Sequence, residues 1–98
     1  MQKHKYKLSQ LAQAHLRKIK GYTISNYSER QWQSYKKTLL TGFQMLADNQ
    51  ALALSCDDIY PNGFYFPLAK HCAYFTKEEG FILIVAVLGK SQLPQKHL

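Results

Sequence analysis

Ninety-eight residues make one domain with room for a single core, and 46% hydrophobic with 13% aromatic content excludes a disordered chain. The formal charge is +7, from 13 Lys and Arg against 6 Asp and Glu, which favours an acidic protein partner first and direct contact with nucleic acid second, with a charged face that only keeps the domain soluble as the remaining alternative. The longest apolar run, Phe81 to Leu88, is far below the about 20 residues that cross a bilayer, and the basic N-terminus leads into no apolar leader segment. Two cysteines, Cys56 and Cys72, are no disulfide framework, so a soluble intracellular protein with reduced thiols is expected.

Tyr6 and Leu8 alternate with Lys5 and Lys7, the two-residue period of a short half-buried strand. Ser9 then stands at a helix N-cap. Leu11, Ala12, His15, Leu16, Ile19, Tyr22 and Thr23 recur at three- and four-residue spacing and predict a core-facing stripe. Arg17, Lys18 and Lys20 fall on an outer basic face. Gly21 inside this helix marks a bend or a close approach to a neighbour. Ser28-Glu29-Arg30-Gln31 reads as a capping box. A second helix follows it, with the stripe Trp32, Tyr35, Leu39, Phe43 and Leu46, and with Leu40 and Met45 at its margins. The short connection makes the two helices an antiparallel hairpin.

Asp48-Asn49-Gln50 ends the second helix, and residues 51–60 read as an irregular link. Pro61-Asn62-Gly63 is a turn. Phe64 to Leu68 is a strand that Pro67 marks as an edge or a terminus, because proline has no amide for a ladder. His71 to Thr76 is the next strand, Lys77 to Gly80 a hairpin turn, and Phe81 to Leu88 a strand apolar enough to be buried on both faces. A short polar tail ends the chain. The expected fold is α+β: an N-terminal strand, then an antiparallel helical hairpin packed on one face of a small antiparallel sheet, in one domain over residues 1–98.

Leu8-Ser9 before the first helix, Leu46-Ala47-Asp48-Asn49 at the end of the second, Ser55-Cys56-Asp57-Asp58-Ile59 before the sheet, His71 and Tyr74-Phe75 on its middle strand, and Val87-Leu88-Gly89-Lys90-Ser91 after its last strand together resemble the ParE toxins of the RelE/ParE superfamily. The likeness runs from about residue 5 to residue 96. It implies a bacterial, cytoplasmic toxin of a type II toxin–antitoxin system, of the kind that stabilises plasmids, neutralised by a ParD-like antitoxin. It also implies DNA gyrase as the target, stalled with its DNA cut and without catalysis by the toxin. Nucleic acid is then met only indirectly, through gyrase or the antitoxin complex.

On that resemblance, Lys90, Ser91 and Lys96 in the C-terminal segment are the gyrase-directed candidates. Antitoxin contacts are expected from Leu11, His15, Ile19 and Tyr22 on the first helix and from Tyr6 on the edge strand, where an acidic segment could pack as a helix and add a strand. RelE relatives instead cleave messenger RNA on the ribosome, which needs a base, an acid and cations at one phosphate. Here the only arginines are Arg17 and Arg30, both on the hairpin. Ala86 and Gly89 stand where relatives often carry an Arg and a His. The alternative nuclease candidates are therefore Lys70, His71, Tyr74, Lys90 and His97. A third reading is a degenerate toxin that only binds its antitoxin. No metal or cofactor is expected: no His/Cys spacing suits zinc, and no glycine-rich phosphate loop or serine with an evident base is present.

Overall fold

A computed structural model describes residues 5–92 and 94–96 of the chain. The elements are β1 (Lys5–Leu8), α1 (Gln10–Asn26), α2 (Glu29–Asp48), a 3-10 turn (Gln50–Leu52), β2 (Leu54–Ser55), β3 (Gly63–Leu68), β4 (His71–Glu78), β5 (Phe81–Gly89) and a second 3-10 turn (Pro94–Lys96). The five strands form one sheet in the order β1-β5-β4-β3-β2. Both helices lie on one of its faces.

The antiparallel sheet expected from the sequence is corrected to a mixed one. β3, β4 and β5 are antiparallel neighbours, but β1 runs parallel to β5, with Lys5 opposite Phe81 and Leu8 opposite Ile84. β5 is too apolar to stand as an open edge, and β1 closes its first half. The link at 51–60 also carries structure, since Leu54 and Ser55 pair with Tyr65 and Phe64. Pro67 lies beyond that short pairing, on the stretch of β3 where no outer ladder needs its missing amide. The β4–β5 hairpin is tighter than expected, with Glu78 opposite Phe81 and Gly80 at φ 85° in the turn.

Capping fixes both helix starts. Ser9 Oγ accepts from the Ala12 amide at 3.0 Å, and Ser28 Oγ accepts from the Gln31 amide at 3.0 Å. Of the stripe expected on α2, Leu39, Phe43 and Leu46 are buried in the core against the sheet, joined by Ala47, while Trp32 is buried outside that cluster and Tyr35 is half-buried. Burial of Phe43 alone is worth about 1.5–3 kcal/mol. α1 buries less than its stripe suggested: Ala12 and Thr23 are buried, His15, Leu16 and Ile19 are half-buried, and Leu11 and Tyr22 are exposed. The helix runs unbroken through Gly21, where an added Cβ would meet nothing within 4 Å. The close approach is instead at Gly42, where a Cβ would come within 2.8 Å of the Leu68 side chain.

A bulge sets which β5 side chains meet the helices. Tyr74 pairs with Ala86 and Phe75 with Ile84, so Val85 is the extra residue. Ile82, Ile84 and Val87 thereby join the helix-side core with Ala73 and Phe75. Val85, Ala86 and Leu88 join a second cluster with Cys56 and Tyr74 on the opposite face. Both cysteines are free thiols.

Beyond Leu8, β1 no longer covers β5, and α1 takes over. The Ser9 amide donates to the Ile84 carbonyl at 2.9 Å, the Ser9 hydroxyl donates to the Val85 carbonyl at 3.0 Å, and the Val87 amide donates to His15 Nδ1 at 3.2 Å. The helix N-terminus thus satisfies backbone groups that the bulge and the end of β1 leave without a strand partner.

Candidate functional site

α1 docks on β5 and α2 lies over β1, and between the helices remains a cleft of about 310 Å³. Leu8, Leu16, Trp32, Leu39 and Leu40 form its walls, and Arg17, Lys20 and Lys36 stand around it. No Asp or Glu occurs between Lys5 and Asn26, so the cleft is apolar inside and cationic outside. The outer side of β1, next to Leu8, has no strand partner among the described residues. An apolar ridge flanked by carboxylates is the chemical complement of such a surface.

None of the five antitoxin candidates lines this cleft. Tyr6 is half-buried with its ring edge-on to Phe43 at 5.6 Å, and Ile19 packs against the core. His15 is held by the Val87 amide. Leu11 and Tyr22 are surface residues, 43% and 63% exposed. The groove is built two residues along the strand, from Leu8 rather than Tyr6, and one residue along the helix, from Leu16 rather than His15. Its signal in the sequence was the basic trio Arg17, Lys20 and Lys36 beside leucines, which periodicity alone reads as a solvated face.

The structure divides the nuclease candidates. Lys70 ends the β3–β4 turn, in which Ala69 takes φ 55°, and His71 opens β4. The Lys70 amide donates to the Tyr35 hydroxyl at 3.2 Å, and that hydroxyl pairs with His71 Nδ1 at 2.5 Å. With one oxygen lone pair occupied by Lys70, the natural sense is Tyr35 O–H donating to an unprotonated Nδ1. Burial, and secondarily the Lys70 ammonium, pushes the His71 pKa below its ordinary value, favouring that neutral ring. Burial raises the Tyr35 phenol, opposed by the Lys70 amide.

Tyr74, three residues along β4, projects from the other face. There it stacks on Tyr65 at 6.0 Å beside Cys56 and Cys72. Burial first, and then the neighbouring thiols and Tyr65, raise its pKa. The sheet therefore stands between Tyr74 and His71. Lys90 follows Gly89, the residue opposite His71, and is exposed. His97 lies outside the described residues. Tyr35, which sequence periodicity assigns to the core, is the group that Lys70 and His71 actually meet.

Of the gyrase-directed candidates, Lys90 and Ser91 are exposed in the turn after β5. That turn is fastened by the Gly89 amide donating to Gln92 Oε1 at 2.6 Å. Lys96 is exposed in the Pro94–Lys96 turn. Among the described residues no group of three His, Cys, Asp or Glu side chains could hold a metal ion, and no helix is long and apolar enough to cross a membrane.

Residues 6–94 match the family model described as the ParE toxin of the type II toxin–antitoxin system, parDE. Among solved structures, a chain of a chromosomal ParDE toxin–antitoxin system from P. aeruginosa superposes with a TM-score of 0.75 at 13% sequence identity. The alignment covers 89% of this chain and 96% of that one, a likeness of fold. No curated protein sequence matches significantly.

Proposed function

Because the chain belongs to the ParE toxin family, we propose that it stalls DNA gyrase in its cleaved-DNA complex and is neutralised by a ParD-like antitoxin whose acidic, amphipathic segment enters the cleft between α1 and α2. The observation that carries the antitoxin half is the cleft itself: five apolar side chains surrounded by Arg17, Lys20 and Lys36. A soluble monomer gains nothing from a recess of this kind unless something fills it. Burial of apolar side chains from an incoming helix supplies affinity, and the surrounding cations supply approach rate and orientation.

The gyrase half rests on family membership and on an exposed cationic C-terminal segment with Lys90, Ser91 and Lys96. Cleavage of RNA by Lys70, His71 and Tyr74 is disfavoured, since a base and an acid must reach one phosphate and these residues lie on two faces of the sheet.

A plasmid assay with gyrase and ATP tests the reading. The expected result is protein-linked linear DNA that needs both gyrase and this chain and disappears when a ParD-like antitoxin is added first. Normal supercoiling at high excess of folded chain would remove the gyrase target. Tight antitoxin binding with no arrest of growth on expression would then leave a degenerate toxin that only binds.

A further inference from the structure

A second recess, separate from the cleft, lies where the hairpin turn between α1 and α2 meets the β3–β4 turn. It encloses about 200 Å³ and is lined by Tyr22, Thr23, Tyr27, Gln31, Tyr35 and Lys70. This is below the roughly 300–1,000 Å³ of pockets that hold drug-sized ligands, and suits one planar ring rather than a whole small molecule. Tyr22 and Tyr27 are 63% and 61% exposed, the highest values among the exposed large hydrophobics, and meet edge to face at 6.5 Å. Neither contributes to the core. Their cost in exposed aromatic surface has no structural return within the monomer.

The polar groups have distinct positions. Tyr35 is committed, accepting from the Lys70 amide and paired with His71, so it holds the floor of the recess and the β3–β4 turn together. Gln31 brings an amide with both donor and acceptor atoms, and Lys70 brings an exposed ammonium. Lys18 stands one helical turn before Tyr22 on α1, and so on the same side of the helix. Exposed aromatic rings beside a lysine, with no carboxylate in the lining, form the arrangement that takes unpaired bases on ring faces and their phosphates on cations. An acidic peptide would satisfy the lysines but leave the two exposed rings unexplained.

From this juxtaposition we infer that the Tyr22–Tyr27–Lys70 recess binds single-stranded nucleic acid directly, one base against the tyrosines and the adjoining phosphates on Lys70 and Lys18. The contact is sequence-tolerant, since ring faces stack on any base, and it weakens with salt as cations replace counterions on the strand. It differs from the indirect contact with nucleic acid implied by the family likeness.

The test is fluorescence anisotropy of labelled oligothymidylate and oligouridylate of roughly ten nucleotides, within the span of a single-strand site, titrated with the full chain at low and high salt. Neither gyrase nor antitoxin is present, so the result stands apart from the toxin reading. The expected result is salt-sensitive binding that Tyr22→Ala with Tyr27→Ala weakens by about tenfold or more, Lys70→Gln weakens by less, and Lys5→Ala with Lys77→Ala, at the opposite end of the sheet beside the β4–β5 turn, leaves nearly unchanged. The deoxy and ribo arms show which strand the site prefers. Trp32 fluorescence checks that each variant is folded. No binding at low salt overturns the inference. So does equal loss from the tyrosine pair and the distant lysine pair, which would mean diffuse charge. Displacement of the oligonucleotide by polyglutamate from the wild-type chain, but not from the tyrosine variant, would assign the recess to an acidic peptide instead.

Discussion

Replacing Tyr35 with Phe removes one oxygen and no volume from the packed ring. Two hydrogen bonds go with it. The Lys70 amide lies at an exposed turn and can turn to water, so its loss costs little. His71 Nδ1 sits on a half-buried ring and loses its donor where solvent reaches it poorly. A buried acceptor left unsatisfied costs about 1–3 kcal/mol, and partial exposure places this one toward the lower end, about 1–2 kcal/mol. For a domain of this size about 1 kcal/mol moves the midpoint by about 4–8 °C. Tyr35→Phe should therefore melt roughly 5–15 °C below the wild type at neutral pH.

The pH dependence adds a second, independent readout. Burial and Lys70 hold His71 below its ordinary value of 6.5 in the folded state. Above about pH 6.5 the ring is neutral in both folded and unfolded chains, and its full contribution to stability stands. As the pH falls below 6.5, the unfolded chain takes up the proton first and stability drops, until the folded ring also protonates. Without a hydroxyl donating to Nδ1, the neutral ring loses support, so Tyr35→Phe moves the folded pKa back up and shrinks this acid-linked loss. Calorimetric or circular-dichroism melts from about pH 8 to pH 5 should show the gap between the two proteins closing toward acid. Equal melting at neutral pH, or a gap independent of pH, would refute the reading of Tyr35 as the donor that fastens α2 to the β3–β4 turn.

Reversing the charge around the cleft, Lys20→Glu with Lys36→Glu, should weaken binding of an acidic antitoxin by about tenfold at low salt, and the difference should shrink at high salt, as followed by isothermal titration. Ser9→Ala removes both the α1 N-cap and a donor to the Val85 carbonyl at the bulge; a loss of about 1–2 kcal/mol should appear in urea denaturation. The two helix glycines should respond with opposite signs. Gly21→Ala meets open space and should gain about 1 kcal/mol of helix propensity, whereas Gly42→Ala forces its Cβ against the Leu68 side chain, and the resulting overpacking of about 1–3 kcal/mol outweighs the same gain. Thermal melts of the pair check both.

Local signals read well where one chemistry decides the structure. Ser9 and Ser28 cap helices because a side-chain oxygen before an apolar-periodic run has one good use, and the α2 stripe is legible because Leu39, Phe43 and Leu46 all enter one core. α1 defeated the same reasoning. It serves the β5 edge through Ser9 and His15, the core through Ala12 and Ile19, and the cleft through Leu16. Residues on three sides of a helix blur into one broad stripe when only periodicity is available. Leu11 and Tyr22 fall within that broad stripe on spacing alone, although both are exposed, as a partner-contacting residue would be. The parallel pairing of β1 was illegible for another reason, since it joins residues 5–8 to 81–84 across nearly the whole chain and no local pattern records which end of a strand its partner meets. The bulge at Val85 was equally hidden, because a near-continuous apolar run has no alternation whose break could be seen.

The separation of the two recesses bears on how such a chain can be both silenced and active. The cleft takes its α2 walls from Trp32, Lys36, Leu39 and Leu40, and the recess takes its own from Gln31 and Tyr35; they share no lining residue. On a helix with 3.6 residues per turn, Tyr35 points about a quarter turn and Gln31 about a third of a turn away from the centre of the cleft-facing set. A segment that fills the cleft alone therefore leaves Tyr22, Tyr27 and Lys70 uncovered. Neutralisation through the cleft must then act by blocking approach to the target or by covering the C-terminal segment, and binding of a single strand should survive in the antitoxin complex. If antitoxin and oligonucleotide instead compete, the antitoxin must wrap past the hairpin turn to reach the tyrosines, and the two surfaces act as one.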